Sequence, residues 1–380
     1  MMRQNAELYL HIPFCVRKCA YCDFLSFPAT EETEFLYVKK LMDKIRAAGP
    51  ILRDHDISSV FVGGGTPSII PSHCMVEIFD AVRDSMKLTE DCEISMEANP
   101  GTVTKEKLAD YKKAGINRLS MGLQSAHNGE LAALGRIHTF ETFCESFYLA
   151  REAGFENISL DLMSALPGQT TATWMDTLKK AVNLDPEHIS AYSLIIEEGT
   201  PFYEKYGNAA GEKLLPDEDT EREMYHLTKT YLKECGYERY EISNYAKKGR
   251  ECRHNTGYWT GVPYLGLGLG ASSYFGGRRF TDQDDLKTYL TEDPELPGYG
   301  ELLTEKEKQE EFFFLGLRMT KGVSLEEFQK RFGVSAESVY PGIMERFVEE
   351  GAAVLENGNF RLTEYGMDVS NYVMAEFLQD

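Results

Sequence analysis

The chain has 380 residues, 42% hydrophobic and 27% charged, an ordinary balance for a soluble globular protein. No apolar run approaches the ~18 residues a membrane span needs, and the N-terminus lacks the features of a secretory signal, so a cytoplasmic location is expected. A net charge of −21 sets the surface against phosphate backbones, and no nucleic-acid partner is expected.

In chain order, strand patterns at 7–11, 58–63, 92–98, 117–123, 157–163 and 188–194 alternate with helical ones at 32–55, 72–86, 105–114, 139–153 and 171–183. Gly115 and Gly154 stand where two of those helices are expected to end. Six βα units in succession predict an α/β fold with a parallel sheet curled into a partial (β/α)6 barrel. From the pattern alone, a doubly wound open sheet is the alternative. A further helix is expected over 216–235. The stretch 237–280 is rich in Gly, Tyr and Asn and reads as irregular loops and short strands closing the open flank.

Residues 302–380 look separate. Helical patterns at 305–319, 325–332 and 336–350 precede a strand–Asn357-Gly358–strand hairpin signal and a last helix. The expected division is therefore a barrel over 1–235, an irregular segment over 236–300 and a winged-helix-like α+β domain over 301–380. That last domain holds 8 Lys/Arg against 16 Asp/Glu, a net of −8, and lacks the basic face of a groove-reading helix. It is expected to serve as a lid or docking surface.

Of eight cysteines, three crowd into eight residues: Cys15, Cys19 and Cys22, a CxxxCxxC spacing directly after the first strand. In a reducing compartment such cysteines read as metal ligands before disulfides. Thiolates are the usual ligands of iron–sulfur clusters, and three in one loop can hold three corners of a cubane. The fourth iron is then open to a chelating amine and carboxylate, as in the methionine moiety of S-adenosylmethionine (SAM). The competing reading is a zinc knuckle with a fourth ligand elsewhere, although the paired CxxC units usual for structural zinc are absent.

The neighbouring motifs fall at strand ends, where β/α barrels gather their active sites. Gly63-Gly64-Gly65-Thr66 follows the second strand and leaves backbone groups able to approach a ligand. Glu97, Gln124 and Asp161 close otherwise apolar strands. Arg136 follows on a loop and is able to pair with a carboxylate.

With these motifs (LYLHIPFCxxxCxYCDF, GGGTPS, EANPG, GLQS, GRIH and LDLMSALPGQ) the chain resembles the radical SAM enzymes, specifically their coproporphyrinogen III dehydrogenase-like branch. The resemblance covers essentially the whole chain. It implies a [4Fe–4S] cluster on the three cysteines and SAM contacts from Tyr9, Gly64, Gly65, Thr66, Glu97, Gln124, Arg136 and Asp161. Tyr21 would lie against the adenine.

Two activities compete within the branch. The dehydrogenase, an oxidoreductase, decarboxylates coproporphyrinogen III to protoporphyrinogen IX; its pattern adds a fourth cysteine, CxxxCxxCxC, where this chain reads Cys22-Asp23-Phe24. The branch's heme chaperones match better, through that CDF ending, the short segment before Cys15 and an HNxxYW motif at His254-Asn255-Thr256-Gly257-Tyr258-Trp259. That resemblance makes heme or another tetrapyrrole the expected ligand, with a recipient hemoprotein and an electron donor as partners. Whether the chain is an enzyme stays open, as does peripheral association with a membrane. His254 is the candidate for heme iron, with Tyr258 and Trp259 on the porphyrin face. The structural alternative, His254 hydrogen-bonded within a corner of the fold and Trp259 in the core, also stays open. Cys252 offers a thiolate alternative. Cys74, Cys92, Cys144 and Cys235 are expected to be small buried hydrophobes.

Overall fold

The computed structural model describes residues 3–293 and 300–378. The expected alternation appears as β1 (Gln4–Ile12), α1 (Glu31–Ala48), β2 (His55–Gly64), α2 (Ser72–Ser85), β3 (Leu88–Ala98), α3 (Lys105–Lys113) and β4 (Arg118–Gln124). It continues through α4 (Asn128–Ala133), α5 (Phe140–Glu152), β5 (Ile158–Ser164), α6 (Thr171–Asn183) and β6 (His188–Ser193). Threonines at 30, 104, 139 and 170 start α1, α3, α5 and α6 by accepting a backbone N–H from three residues on. Gly115 and Gly154 stop α3 and α5 with φ of 88° and 84°, a conformation a side chain would strain. The helix expected over 32–55 ends at Ala48 instead, because Pro50 cannot donate into the ladder, and β2 begins at His55.

Strands β1 to β6 pair in sequence order and in parallel. Every residue of β4 is buried, as a strand covered on both faces must be. One core runs along the helix-covered face, from Leu8, Leu10 and Val62 to Leu160 and Ile189, packed by Tyr37, Phe79, Tyr111, Phe147 and Trp174 from the helices.

The flank expected to hold irregular loops and short strands does carry short strands, and they extend this sheet; residues 294–299 of that segment lie outside the described residues. After α7 (Pro201–Tyr206) and α8 (Glu218–Glu234), β8 (Asn244–Ala246) adds antiparallel to β6, and β7 (Glu238–Arg239) adds antiparallel to β8. The HNxxYW motif then forms a helix, α9 (Arg253–Thr260). It leads into β9 (Tyr264–Leu267), which pairs parallel with β1 on the opposite edge. Next, β10 (Ser272–Phe275), β11 (Arg278–Thr281), α10 (Leu286–Thr291) and β12 (Glu301–Leu302) complete that side. The order is β12-β11-β10-β9-β1-β2-β3-β4-β5-β6-β8-β7, with β12 and β7 left as unjoined edges. The parallel part thus has seven strands, because Gly and Tyr hid β9 from a reading based on hydrophobic period.

The C-terminal domain has its own core, built on Phe313, Phe328, Tyr340, Phe347, Phe360 and Phe377. Helix α11 (Glu305–Gly316), β13 (Val323–Ser324), α12 (Leu325–Phe332), α13 (Ala336–Val339) and α14 (Ile343–Glu349) precede a hairpin of β14 (Ala353–Glu356) and β15 (Asn359–Leu362). Helices α15 (Glu364–Asp368) and α16 (Ser370–Ala375) follow. The hairpin turns at Asn357 and Gly358, with φ of 54° and 77°, as an Asn-Gly turn between strands requires. No helix among the described residues is long and apolar enough to cross a membrane.

Candidate cluster and cofactor site

The loop from β1 to α1 carries the three cysteines and is pinned by its own backbone. The Cys15 N–H donates to Phe27 O at 3.0 Å, and Ala20 N–H donates to Leu134 O at 3.1 Å. All three thiols are free and half-buried. Burial, more than the neighbouring Cys19 and Cys15, raises the Cys22 thiol above its ordinary value. Ligation would displace that proton, so loading would release acid.

Among the described residues no trio of His, Cys, Asp or Glu converges on a single ion position. The thiols instead line one pocket together with Gly64, Thr66, Glu97, Gln124, Arg136 and Asp161. These residues come from a loop and the C-terminal ends of β2, β3, β4 and β5, so the tertiary fold gathers the dispersed motifs. A soft three-thiol face with buried carboxylates across from it fits a [4Fe–4S] cluster beside a cationic cofactor.

The glycine run serves packing first. A Cβ on Gly64, whose φ is 111°, would lie 2.3 Å from the His11 ring, and one on Gly65 would lie 2.6 Å from Phe14 O. The N–H groups expected to face a ligand are consumed internally. Gly64 N–H donates to Glu97 Oε2 at 3.1 Å, Gly65 N–H to Ile12 O at 2.8 Å and Thr66 N–H to Phe14 O at 2.7 Å. Thr66 Oγ1 lies 3.3 Å from Cys15 Sγ and accepts from Asn99 Nδ2 at 2.8 Å.

Among the described residues no carboxylate is hydrogen-bonded to Arg136. Its Nη1 donates to Cys19 Sγ at 3.8 Å, and its Nη2 donates to Gly122 O at 2.9 Å and Asn99 Oδ1 at 3.0 Å. Asn99 and Tyr192 also line this region and were missed as site residues. Asn99 stands inside the EANP motif, so its signal was present; Tyr192 reads as an ordinary strand residue.

Gln124 ends β4 with φ of 61°, unusual for a side-chain-bearing residue, and its buried Oε1 has no partner among the described residues. An orphaned acceptor on a pocket wall is a place for a ligand donor. Burial first, then the charge of Asp161, pushes the Glu97 carboxyl up to about 7. Asp161, accepting from Ser120 Oγ at 3.1 Å, is pushed up to about 6 by burial, against the pull of Arg118.

Two expected residues fall elsewhere. Tyr9 lies a layer beneath the pocket, its hydroxyl 3.0 Å from His11 Nδ1. His254 lies at the opposite end of the barrel, since its partners belong to the N-terminal halves of β1 and β2. It is 1% exposed, with Nδ1 2.8 Å from Ser59 Oγ and Nε2 2.8 Å from the Tyr258 hydroxyl. Burial pushes its imidazole down to about 3, so the ring is neutral and both nitrogens are engaged. Cys252 is fully buried against Glu93, and burial pushes its thiol up to about 12. Cys74 and Cys92 are buried as expected, whereas Cys144 and Cys235 are only partly so. Tyr21 borders the pocket and packs on Phe202, ring centroids 6.4 Å apart.

A parallel barrel sheet with a three-cysteine loop at the strand C-termini defines the radical SAM class, and the Radical SAM superfamily profile matches residues 9–181. The HemN C-terminal domain profile matches residues 303–369. The heme chaperone HemW of Bacillus subtilis is 37% identical, the match covering 97% of this chain and 98% of that one. HemW of Escherichia coli is 34% identical, with 98% of each chain covered. The chain belongs to the HemW family of radical SAM proteins. Its fold matches that of coproporphyrinogen III oxidase (HemN) from Escherichia coli, with a TM-score of 0.86 at 22% identity over 99% of this chain and 90% of that one.

Proposed function

We propose that this chain is a heme chaperone, binding heme and passing it to recipient hemoproteins, with the SAM pocket regulating that transfer. The observation that carries the reading is the end-to-end match with relatives named heme chaperone HemW. The Cys22-Asp23-Phe24 sequence, where the dehydrogenase pattern has a further cysteine, supports it over decarboxylation of coproporphyrinogen III.

Cys15, Cys19 and Cys22 would hold the cluster. A bound [4Fe–4S] cluster supplies one-electron reduction beside the SAM sulfonium. The chain's own residues prepare that place. Arg136 neutralises thiolate charge at Cys19. Glu97 and Asp161, once ionised, attract the cationic ends of SAM, and Gln124 Oε1 accepts from it. The buried floor keeps these groups in a low-dielectric site, where each charge counts for more than in water.

The test is an anaerobic heme titration of the cluster-reconstituted protein, followed by Soret absorbance, then transfer to an apo-hemoprotein. Stoichiometric binding and transfer are expected. A protein that excludes heme but releases carbon dioxide from coproporphyrinogen III in a SAM-dependent assay would overturn the reading.

A further inference from the structure

Asn99 directly follows β3 at the rim of the cysteine pocket, and its backbone is fastened on both sides. Its N–H donates to Ser68 Oγ at 3.1 Å, and its carbonyl accepts from Thr102 N–H at 3.2 Å and from Thr102 Oγ1 at 2.7 Å. The Ser68 and Thr102 hydroxyls, 2.6 Å apart, close this ring of hydrogen bonds.

The Asn99 side chain bridges two loops that leave different strands. Its Oδ1 accepts from Arg136 Nη2 at 3.0 Å, on the segment after β4, and its Nδ2 donates to Thr66 Oγ1 at 2.8 Å, on the segment after β2. Each of those partners ends on a cysteine. Thr66 Oγ1 lies 3.3 Å from Cys15 Sγ, and Arg136 Nη1 donates to Cys19 Sγ at 3.8 Å. One hydrogen-bonded chain therefore runs from Cys15 through Thr66, Asn99 and Arg136 to Cys19.

The donors and acceptors of these groups fix the direction of every link. A guanidinium only donates, so Asn99 must turn its oxygen to Arg136 and its NH2 to Thr66. Because the Thr66 oxygen already accepts from that NH2, its own proton is left for Cys15 Sγ. A cysteine that holds metal is a thiolate and only accepts. Both arms of the chain thus bring a donor to sulfur. Arg136 is held a second time, by Gly122 O at 2.9 Å, and Thr66 is 1% exposed, so neither donor is free to turn to water.

We infer that Asn99 is a positioning residue for the cluster: it aims the Thr66 hydroxyl at Cys15 and the Arg136 guanidinium at Cys19, and so raises the potential at which the cluster takes up an electron. Hydrogen bonds to the sulfurs are one of a protein's means of setting that potential, because a donor draws off electron density that the incoming electron would otherwise meet. The inference rests on the three-cysteine cluster assignment and needs nothing of the heme reading.

The experiment is an anaerobic redox titration of the reconstituted full chain without SAM, with dithionite as the source of the single electron and the EPR signal of the reduced cluster as readout. Asn99→Leu, which is close in size and removes both links, should shift the reduction equilibrium at least tenfold toward the oxidised form, about 59 mV in midpoint for a one-electron couple. Thr66→Val removes only the Cys15 arm and should shift it the same way by less. The double variant should fall short of the sum of the two shifts, since one residue acts through the other. Wild type in deuterated buffer should show, by pulsed EPR, an exchangeable deuteron coupled to the reduced cluster, and this measurement decides alone if the variants hold no cluster. An unchanged midpoint in Asn99→Leu, additive shifts, or no coupled deuteron in wild type would overturn the positioning role and leave the cluster assignment standing. A wild type that gains no [4Fe–4S] absorbance on reconstitution would overturn the cluster assignment, and this inference with it.

Discussion

Glu97 and Asp161 are two carboxyls whose burial holds them at about 7 and 6, so near pH 6 both are substantially protonated. SAM carries a sulfonium and an ammonium and is attracted by the ionised forms. Its affinity should therefore tighten several-fold between pH 6 and pH 8, and Glu97→Gln should weaken binding and flatten that rise. Calorimetric titration under anaerobic conditions reads both. Affinity that stays level, or improves as the pH falls, would contradict this assignment of the carboxylates.

Helix α9 is tied to β1 and β2 by a buried polar chain running from Glu7 to Ser59, His254 and Tyr258. Glu7 Oε2 lies 3.5 Å from His254 Nδ1, and a Cβ on Gly257 would collide with the Glu7 carboxyl at 2.1 Å. Only glycine lets α9 approach this closely. Burial pushes Glu7 up to about 9, so the folded protein keeps it protonated while the unfolded chain ionises it near its ordinary value. A raised carboxyl pKa stabilises the fold at low pH and loses that contribution as pH rises through the folded value. Between pH 7 and pH 9 wild type should therefore lose about 1 kcal/mol per pH unit relative to Glu7→Gln, which keeps the shape without the proton. Urea denaturation at several pH values checks this, and parallel pH profiles for the two proteins would refute it.

At the scale of the molecule, two cores meet across a mixed seam, where Tyr240, Ala246, Met319 and Trp259 form a small apolar cluster beside charged pairs. Arg239 and Lys229 reach Glu364, and Arg318 lies 4.3 Å over the Trp259 ring. The C-terminal core is a cluster of its own, with Ile242 of the barrel side packed against it. Its centre is Phe313, fully buried and stacked on Phe377 at 4.2 Å. Phe313→Ala should cost about 3–5 kcal/mol of that domain's stability. Denaturation of the variant should show the C-terminal domain melting first, with cluster absorbance lost only in a later transition. Loss of both signals together would mean that the cores fold as one unit.

Much of the fold could be read in the sequence because its signals are local. Period-2 and period-3.6 patterns, threonine caps and helix-ending glycines act within a few residues, and they gave six strands and their helices nearly in place. The spacing of Cys15, Cys19 and Cys22, and the polar residues closing apolar strands, marked the pocket for the same reason. The strand β9 and helix α9 escaped because their stability comes from partners far along the chain: Glu7 and Ser59 for α9, and β1 for β9. Equally hidden were the consumed N–H groups of Gly64 and Gly65, the capture of Arg136 by Asn99 and Gly122 O, and the burial of His254. Which residues share a strand end follows from chain order. Which donors remain free depends on three-dimensional packing that no local pattern encodes.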